Sequence, residues 1–266
     1  MAGRSIVDWS AVQADEREAL RLVLKRERRA EQQRREQEIR VAKEQEKVAA
    51  ELMAQKSQRV REAMDNPYRW VTEYTQTYNE QWLKQSRPSP YEPFPRWPYF
   101  PPLFDLLRSP EPVLWFEKSR TMMLTWALVA YLTWEAQRTP MCGVLFQAQT
   151  EEKVIQLVDY AKCLYRQQPS WLREEFPLTR PVEQQSAKEM NYAHGGYVAG
   201  IPGGANKIRS YHPWAYLNDE SSFQADAGEC YNEALATGCA KVIFNSSAGP
   251  GWYADARHDA VMNLEE

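Results

Sequence analysis

Three polar clusters follow short apolar runs, and their side chains are of the kind that handle phosphate and metal. The first, EKSRTMMLTW (117–126), lies between the apolar run VLWF (113–116) and a helical pattern. A loop between a strand and a helix points its amides and the helix N-terminus at an anion. Lys118 and Arg120 would neutralise phosphate charge there, and the Thr125 hydroxyl would hold a magnesium ion. The common pattern G-x-x-x-x-G-K-[ST] is absent: the loop has no glycine, and its lysine stands at the start. Taken alone, a basic turn at a helix start is the simpler reading. The second cluster ends WAYLNDE (214–220), an apolar run closed by two carboxylates. Asp219 at the strand tip would hold magnesium through water, and Glu220 would polarise an attacking water. Adjacent carboxylates also occur by chance at surface turns. The third ends IFNSSAGPG (243–251), where Asn245, Ser246 and Ser247 follow an apolar run. Such groups can sense a terminal phosphate or couple its loss to motion. By itself this segment is a serine-rich turn.

The elements that must carry these clusters differ in composition along the chain. At 266 residues, and about 150 per domain, one domain with extensions or two small ones is expected. The division read from composition is a charged helical arm (1–65), an aromatic and proline-rich strap (66–112) and an α/β domain (113–266). Residues 11–63 are rich in Glu, Arg, Gln, Lys and Ala and contain no Gly or Pro, which predicts a helix. Its middle is almost wholly polar and no a/d heptad is sustained, so a solvated helix held by i,i+4 charge pairs is expected; a weak coiled coil or a partner-binding arm remains open. Nine of the 17 prolines fall in residues 88–112, which forbids a long helix and a central strand. The interleaved Tyr, Phe and Trp make this segment an extended strap whose rings pack on the next domain. From residue 113, apolar runs at 113–116, 143–149, 214–220 and 241–246 alternate with helical patterns at 125–138 and 151–168. GGYVAGIPGG (195–204) reads as a hairpin strand. That alternation predicts an α/β fold with a mainly parallel sheet whose faces are covered. In such sheets ligands bind at the carboxyl ends of the strands, where all three polar clusters fall.

In this order and spacing, with the basic loop and Asp219 about a hundred residues apart, the clusters resemble the ATPase domain of the large terminase subunits of tailed bacteriophages. Several of these carry a deviant Walker A motif with an early lysine, K-S-R-x-x-G-x-[ST]. Lys118, Ser119, Arg120 and Thr125 match it. Met123 replaces its second glycine, and Leu124 stands where a conventional lysine would. Asp219 and Glu220 match the Walker B aspartate and catalytic glutamate, and Ser246, Ser247 and Ala248 the coupling motif. Arg209, in IRSYHPWAYLNDE, is a candidate finger acting on a neighbour's ATP. The resemblance spans roughly residues 94–252. It implies a P-loop NTPase-like fold preceded by the charged helix, and hydrolysis of ATP with Mg2+ to drive double-stranded DNA into a procapsid. Lys118, Ser119, Arg120 and Thr125 would bind ATP, and Thr125 and Asp219 the metal. Glu220 and Arg209 would be catalytic, and Ser246 and Ser247 would couple hydrolysis to motion. The implied partners are DNA, a portal protein, a small terminase subunit and further copies in a ring. The implied location is the host cytoplasm, docked transiently on the procapsid.

A full large terminase continues into a ribonuclease-H-like nuclease. The tail GWYADARHDAVMNLEE (251–266) is too short to form one, so no nuclease activity is expected of this chain alone. It would be truncated, split, or work with a separate nuclease. Two other readings share the motifs. A helicase-like ATPase of a mobile element would separate strands, and a dead adaptor scaffold would not bind Mg-ATP. The formal charge of −3 excludes a DNA-coating basic protein but not a local basic track. The four cysteines form no CxxC pair and read as reduced, buried thiols. The three histidines lack metal-ligand spacing, so no zinc site is expected. No run of 18 apolar residues and no apolar leader is present, so neither a membrane span nor a secretory signal is expected. AGIPGGANKIRS (199–210) reads as a turn followed by a DNA- or subunit-facing loop.

Overall fold

Good helix formers without interruption give one long helix, α1 (Trp9–Met64). The computed structural model describes residues 9–119, 121–246 and 251–262. The chain divides into two units, Met1–Arg59 and Val60–Glu266. In the first, side chains 31–50 are all exposed, and i,i+4 bonds such as Arg35 to Glu31 (2.7 Å) and Gln32 to Glu36 (2.9 Å) run along the surface. Each such pair contributes about 0.2–0.5 kcal/mol. In the second unit the helix ends with Ala63 and Met64 buried in the core.

Asn66 then caps α2 (Pro67–Tyr74), its side-chain oxygen accepting the Arg69 N–H at 3.0 Å, and Pro67 takes the first helical position, where no donor is needed. A short antiparallel hairpin follows, β1 (Gln76–Tyr78) with β2 (Tyr91–Pro93). The proline-rich segment is not extended throughout, as its composition suggested. Pro101 and Pro102 fall in the first turn of a helix, α3 (Phe100–Arg108), where their missing N–H groups cost nothing. Its rings do pack inward: Trp70, Phe94, Phe100 and Phe104 are buried in the same core as the sheet.

The remaining elements are β3 (Val113–Glu117), α4 (Leu124–Arg138), β4 (Gly143–Ala148), α5 (Glu151–Arg166), α6 (Ser170–Glu175), β5 (Glu189–Asn191), β6 (Tyr197–Pro202), β7 (Ala215–Asp219), α7 (Ala227–Ala236), β8 (Lys241–Ser246) and α8 (Trp252–Met262). Six strands form one sheet in the order β3-β8-β7-β4-β6-β5, parallel except for β5. The architecture is α/β, a mainly parallel sheet with flanking helices. Strands β4, β7 and β8 are buried along their whole length, which is why they read as apolar runs. The glycine-rich strand of the hairpin, β6, also pairs parallel to β4. Helix α5 lies so close over it that a Cβ at Gly200 would come within 2.3 Å of the Val154 side chain.

The chain leaves β3 through α4, skips two strand positions to reach β4, and later fills the gap with β7 and β8. A crevice at the carboxyl ends is the expected product of such a reversal in strand order. Alternation divides the strand residues between two faces. Leu114, Leu217 and Ile243 join the core with α4 and α5; Tyr216, Val242 and Phe244 join that with α7. All four cysteines are buried and unpaired. Among the described residues no helix is long and apolar enough to cross a membrane.

Candidate active site

The same alternation selects which polar side chains meet. Lys118, one residue past β3, Asp219 at the end of β7 and Asn245 on β8 all have the parity of the α4 face. Asp219 and Asn245 are register partners across the β7–β8 pair. Lys118 Nζ donates to Thr125 Oγ1 at 2.7 Å and lies 3.5 Å from Asp219 Oδ1 and 3.1 Å from Glu220 Oε1. The Thr125 hydroxyl, in the first turn of α4, donates to Asp219 Oδ1 at 3.0 Å, and Asn245 Nδ2 donates to the same oxygen at 2.7 Å. The Lys118 and Asp219 side chains are only 12% and 11% exposed, so their charges interact more strongly than at an open surface.

Glu220 reaches this cluster by leaving the strand pattern. A continuing strand would turn it to the opposite face from Asp219. Instead its backbone is left-handed, with φ 58° and ψ 46°, at the start of a 3-10 turn (Ser221–Phe223). That conformation costs a residue with a Cβ about 1 kcal/mol. The loop before α4 contains the same device. Thr121 and Met123 have positive φ, and Met123 (φ 50°, ψ 25°) occupies the N-cap of α4 without a side-chain cap. Met123 therefore holds a glycine-like conformation at the position where a glycine stands in the resembling motif. Met123→Ala loses partly buried contacts and keeps the strain, whereas Met123→Gly loses the contacts and relieves it. Urea unfolding is expected to find the glycine variant more stable than the alanine variant by about 1 kcal/mol.

Not every sequence-selected residue joins the cluster. Ser119 is exposed beside Lys118. Arg120 and Ser247 lie outside the described residues. Ser246 has the opposite parity: its hydroxyl accepts the Ser222 N–H at 3.1 Å, and its carbonyl accepts the Lys118 N–H at 3.0 Å. Arg209 lies in a 3-10 turn (Ala205–Ser210) after β6 and forms an ion pair with Glu233 of α7. Hydrogen bonding to Arg209 holds the Glu233 carboxyl below its ordinary range. The sequence placed Asn245 at a strand end without giving it a partner; its bond to Asp219 depends on sheet order. Tyr99 of the strap was not singled out, yet its hydroxyl donates to the Met122 carbonyl at 2.8 Å and steadies the loop.

Two carboxylates against one ammonium leave this group a net negative charge, and its oxygens are hard donors. Glu220 Oε2 and Asn245 Oδ1 are both buried without a hydrogen-bond partner among the described residues. Unmet buried acceptors cost about 1–3 kcal/mol each. Among the described residues no group of three or more His, Cys, Asp or Glu could hold a metal. A hydroxyl with one or two carboxylates, completed by substrate phosphates, is the pattern suited to magnesium.

No protein-family model matches the chain, and no curated protein is significantly similar to it. Among solved structures it is similar to the HK97 bacteriophage large terminase, with a TM-score of 0.55 and 10% identity over 76% of this chain and 42% of that one. Two structures of the Thermus phage P74-26 large terminase ATPase domain, one of them a mutant, match at TM-scores of 0.36 and 0.34 with 12% and 10% identity. Each match covers 54% of this chain and 62% of that one, at scores too low to define a shared fold. The chain thus spans less than half the length of the HK97 protein. Over three quarters of its own length, it has the fold of a bacteriophage large terminase, the family its motifs resemble.

Proposed function

We propose that this chain is the ATPase part of a DNA-packaging motor of the large-terminase type. The observation that supports the reading most is the meeting of Lys118, Thr125, Asp219 and Glu220 at the carboxyl ends of the strands. Lys118 turns from the carboxylates to the β- and γ-phosphates of ATP, with Ser119 and Arg120 on the same loop. The N-terminal amides of α4, which carry no side-chain cap, face the same anion. Thr125 and Asp219 hold magnesium, which when bound neutralises charge on the phosphate oxygens. Asn245 keeps Asp219 Oδ1 oriented. Glu220 accepts a proton from the attacking water and orients it in line with the γ-phosphate. Arg209, with a side chain 63% exposed, leaves Glu233 to complete a neighbour's site in a ring. Ser246 and Ser247 pass the loss of phosphate to the rest of the domain; the Ser246 bond to Ser222 ties β8 to the Glu220 turn. Double-stranded DNA is the track, and a portal protein and a small terminase subunit are the partners, with the chain docked on a procapsid in the host cytoplasm.

Release of phosphate from Mg-ATP, accelerated by duplex DNA, tests the reading. DNA contact through phosphates makes binding fall by about 10³-fold or more between about 50 and 200 mM salt. A flat salt response would remove DNA as the track.

A further inference from the structure

The left-handed turn at Glu220 is what brings two adjacent carboxylates to one face, so whatever holds that turn decides where the proposed base points. Past Asn218, β7 no longer pairs with β4, so the Asp219 carbonyl lies beyond that ladder. Gln224 meets it there: its Nε2 donates to the Asp219 carbonyl at 2.8 Å and to Asn218 Oδ1 at 2.7 Å. Asn218 Nδ2 returns a longer contact to Gln224 Oε1 at 3.4 Å and donates to the Tyr216 hydroxyl at 2.8 Å. Tyr216 in turn donates to Gln147 Oε1 on β4. The Ser221 hydroxyl adds a bond to the Asn218 carbonyl at 3.0 Å. Gln147, Tyr216 and Asn218 have the parity of the α7 face, opposite to that of Lys118, and Asn218 and Gln224 are 0% and 7% exposed. They form an amide clamp behind the site, anchored to the neighbouring strand. It fixes the carbonyl immediately before the strained residue.

We infer that Gln224 is a positioning residue for the hydrolytic reaction: it holds the Glu220 turn left-handed and so keeps the carboxylate beside Lys118. The inference rests on the assignment of Glu220 as the base. Gln224 touches no reacting atom and acts only through the turn.

The test pairs two substitutions. Gln224→Met keeps the length of the side chain and removes both donors. Its kcat for Mg-ATP is expected to fall at least tenfold, with KM and the calorimetric Kd for Mg-ATP within twofold of the parent. Added to Glu220→Gln, Gln224→Met is expected to cause no further loss of residual turnover, because the group it positions is already disabled. A merely structural role would instead move KM and Kd together with kcat and lower both backgrounds alike, and that result overturns the inference. If Gln224→Met does not fold, Gln224→Asn, which stays polar but is one methylene too short to reach, carries the same readouts. Parent-like kcat in the Gln224 variants alongside an inactive Glu220→Gln removes the clamp and leaves the base assignment standing. Parent-like turnover of Glu220→Gln removes the base assignment itself.

Discussion

Glu220→Gln is expected to bind Mg-ATP as the parent does and to hydrolyse it about 10²–10⁴-fold more slowly. The amide oxygen of the glutamine can still accept from Lys118 Nζ, now 3.1 Å from Glu220 Oε1, so the resting arrangement of the loop changes little. The residue's left-handed backbone is held by bonds to its neighbours, and those bonds are indifferent to the exchange of one oxygen for nitrogen. What disappears is the basic site. Glu220 Oε2 is buried without a partner among the described residues, a costly state that a positioned water would relieve. An amide nitrogen at that place donates a hydrogen bond and cannot take up a proton. Single-turnover phosphate release with calorimetric binding separates the two effects. Hydrolysis at the parent rate would show that Glu220 is not the base. Equal losses in binding and rate would show that it serves ATP affinity instead.

The strands were readable because β4, β7 and β8 are buried on both faces and so appear as unbroken apolar runs ending in polar residues. Lys118, Thr125, Asp219 and Glu220 could be singled out because each follows such a run or opens a helix. The manner of their meeting could not be read. Residue types do not reveal that Glu220 adopts a positive φ; strict alternation would have sent it to the far face. Asn245 depends on β8 lying between β3 and β7, a nonlocal pairing that no local pattern encodes. Ser246 was grouped with its neighbours, but parity turns its hydroxyl towards Ser222. The prolines were read as forbidding a long helix and making an extended strap; at 101 and 102 they open a nine-residue helix, because the first turn asks for no backbone donors. Gln224 stands five residues past Asp219 with nothing in its surroundings to mark it.

The sheet order also gives the strap a part in the site. Strand β3 lies at the edge of the sheet, so the loop after it has a strand neighbour, β8, on one side only. The other support comes from the preceding segment. Tyr99 bonds the Met122 carbonyl, and the Trp97, Tyr99 and Phe100 rings pack together, with Trp97 stacked on Phe100 at 5.6 Å. Burial pushes the Tyr99 hydroxyl above its ordinary pKa. A loop without glycine, strained at Thr121 and Met123, is thereby held from both ends. The turn carrying Trp97, Tyr99 and Phe100 thus braces the basic loop.

Lys118→Met is expected to weaken both folding and nucleotide binding, and the two losses have separate origins. The ammonium is the counter-charge to Asp219 and Glu220. Removing it leaves both carboxylates without that counter-charge, with the Asp219 side chain only 11% exposed. Breaking a pair at this depth costs about 3 kcal/mol, the lower end of the range for buried pairs, because the Glu220 side chain is 38% exposed and partly screened by water. Asp219→Asn in the same chain removes one of the two negative charges and keeps the acceptor for Thr125 and Asn245. The double variant should therefore recover a large part of the lost stability, giving a coupling of about 1–3 kcal/mol in a double-mutant cycle. Urea unfolding followed by tryptophan fluorescence measures it, and losses that simply add would show that Lys118 and Asp219 do not interact. ATP affinity behaves differently. The bond from Lys118 to phosphate is charge-assisted, and its loss should lower affinity about tenfold to hundredfold. Asp219→Asn cannot restore that, since it supplies no cation for the phosphates. Recovery of stability without recovery of binding is the expected signature of a lysine that neutralises carboxylates at rest and phosphates at work.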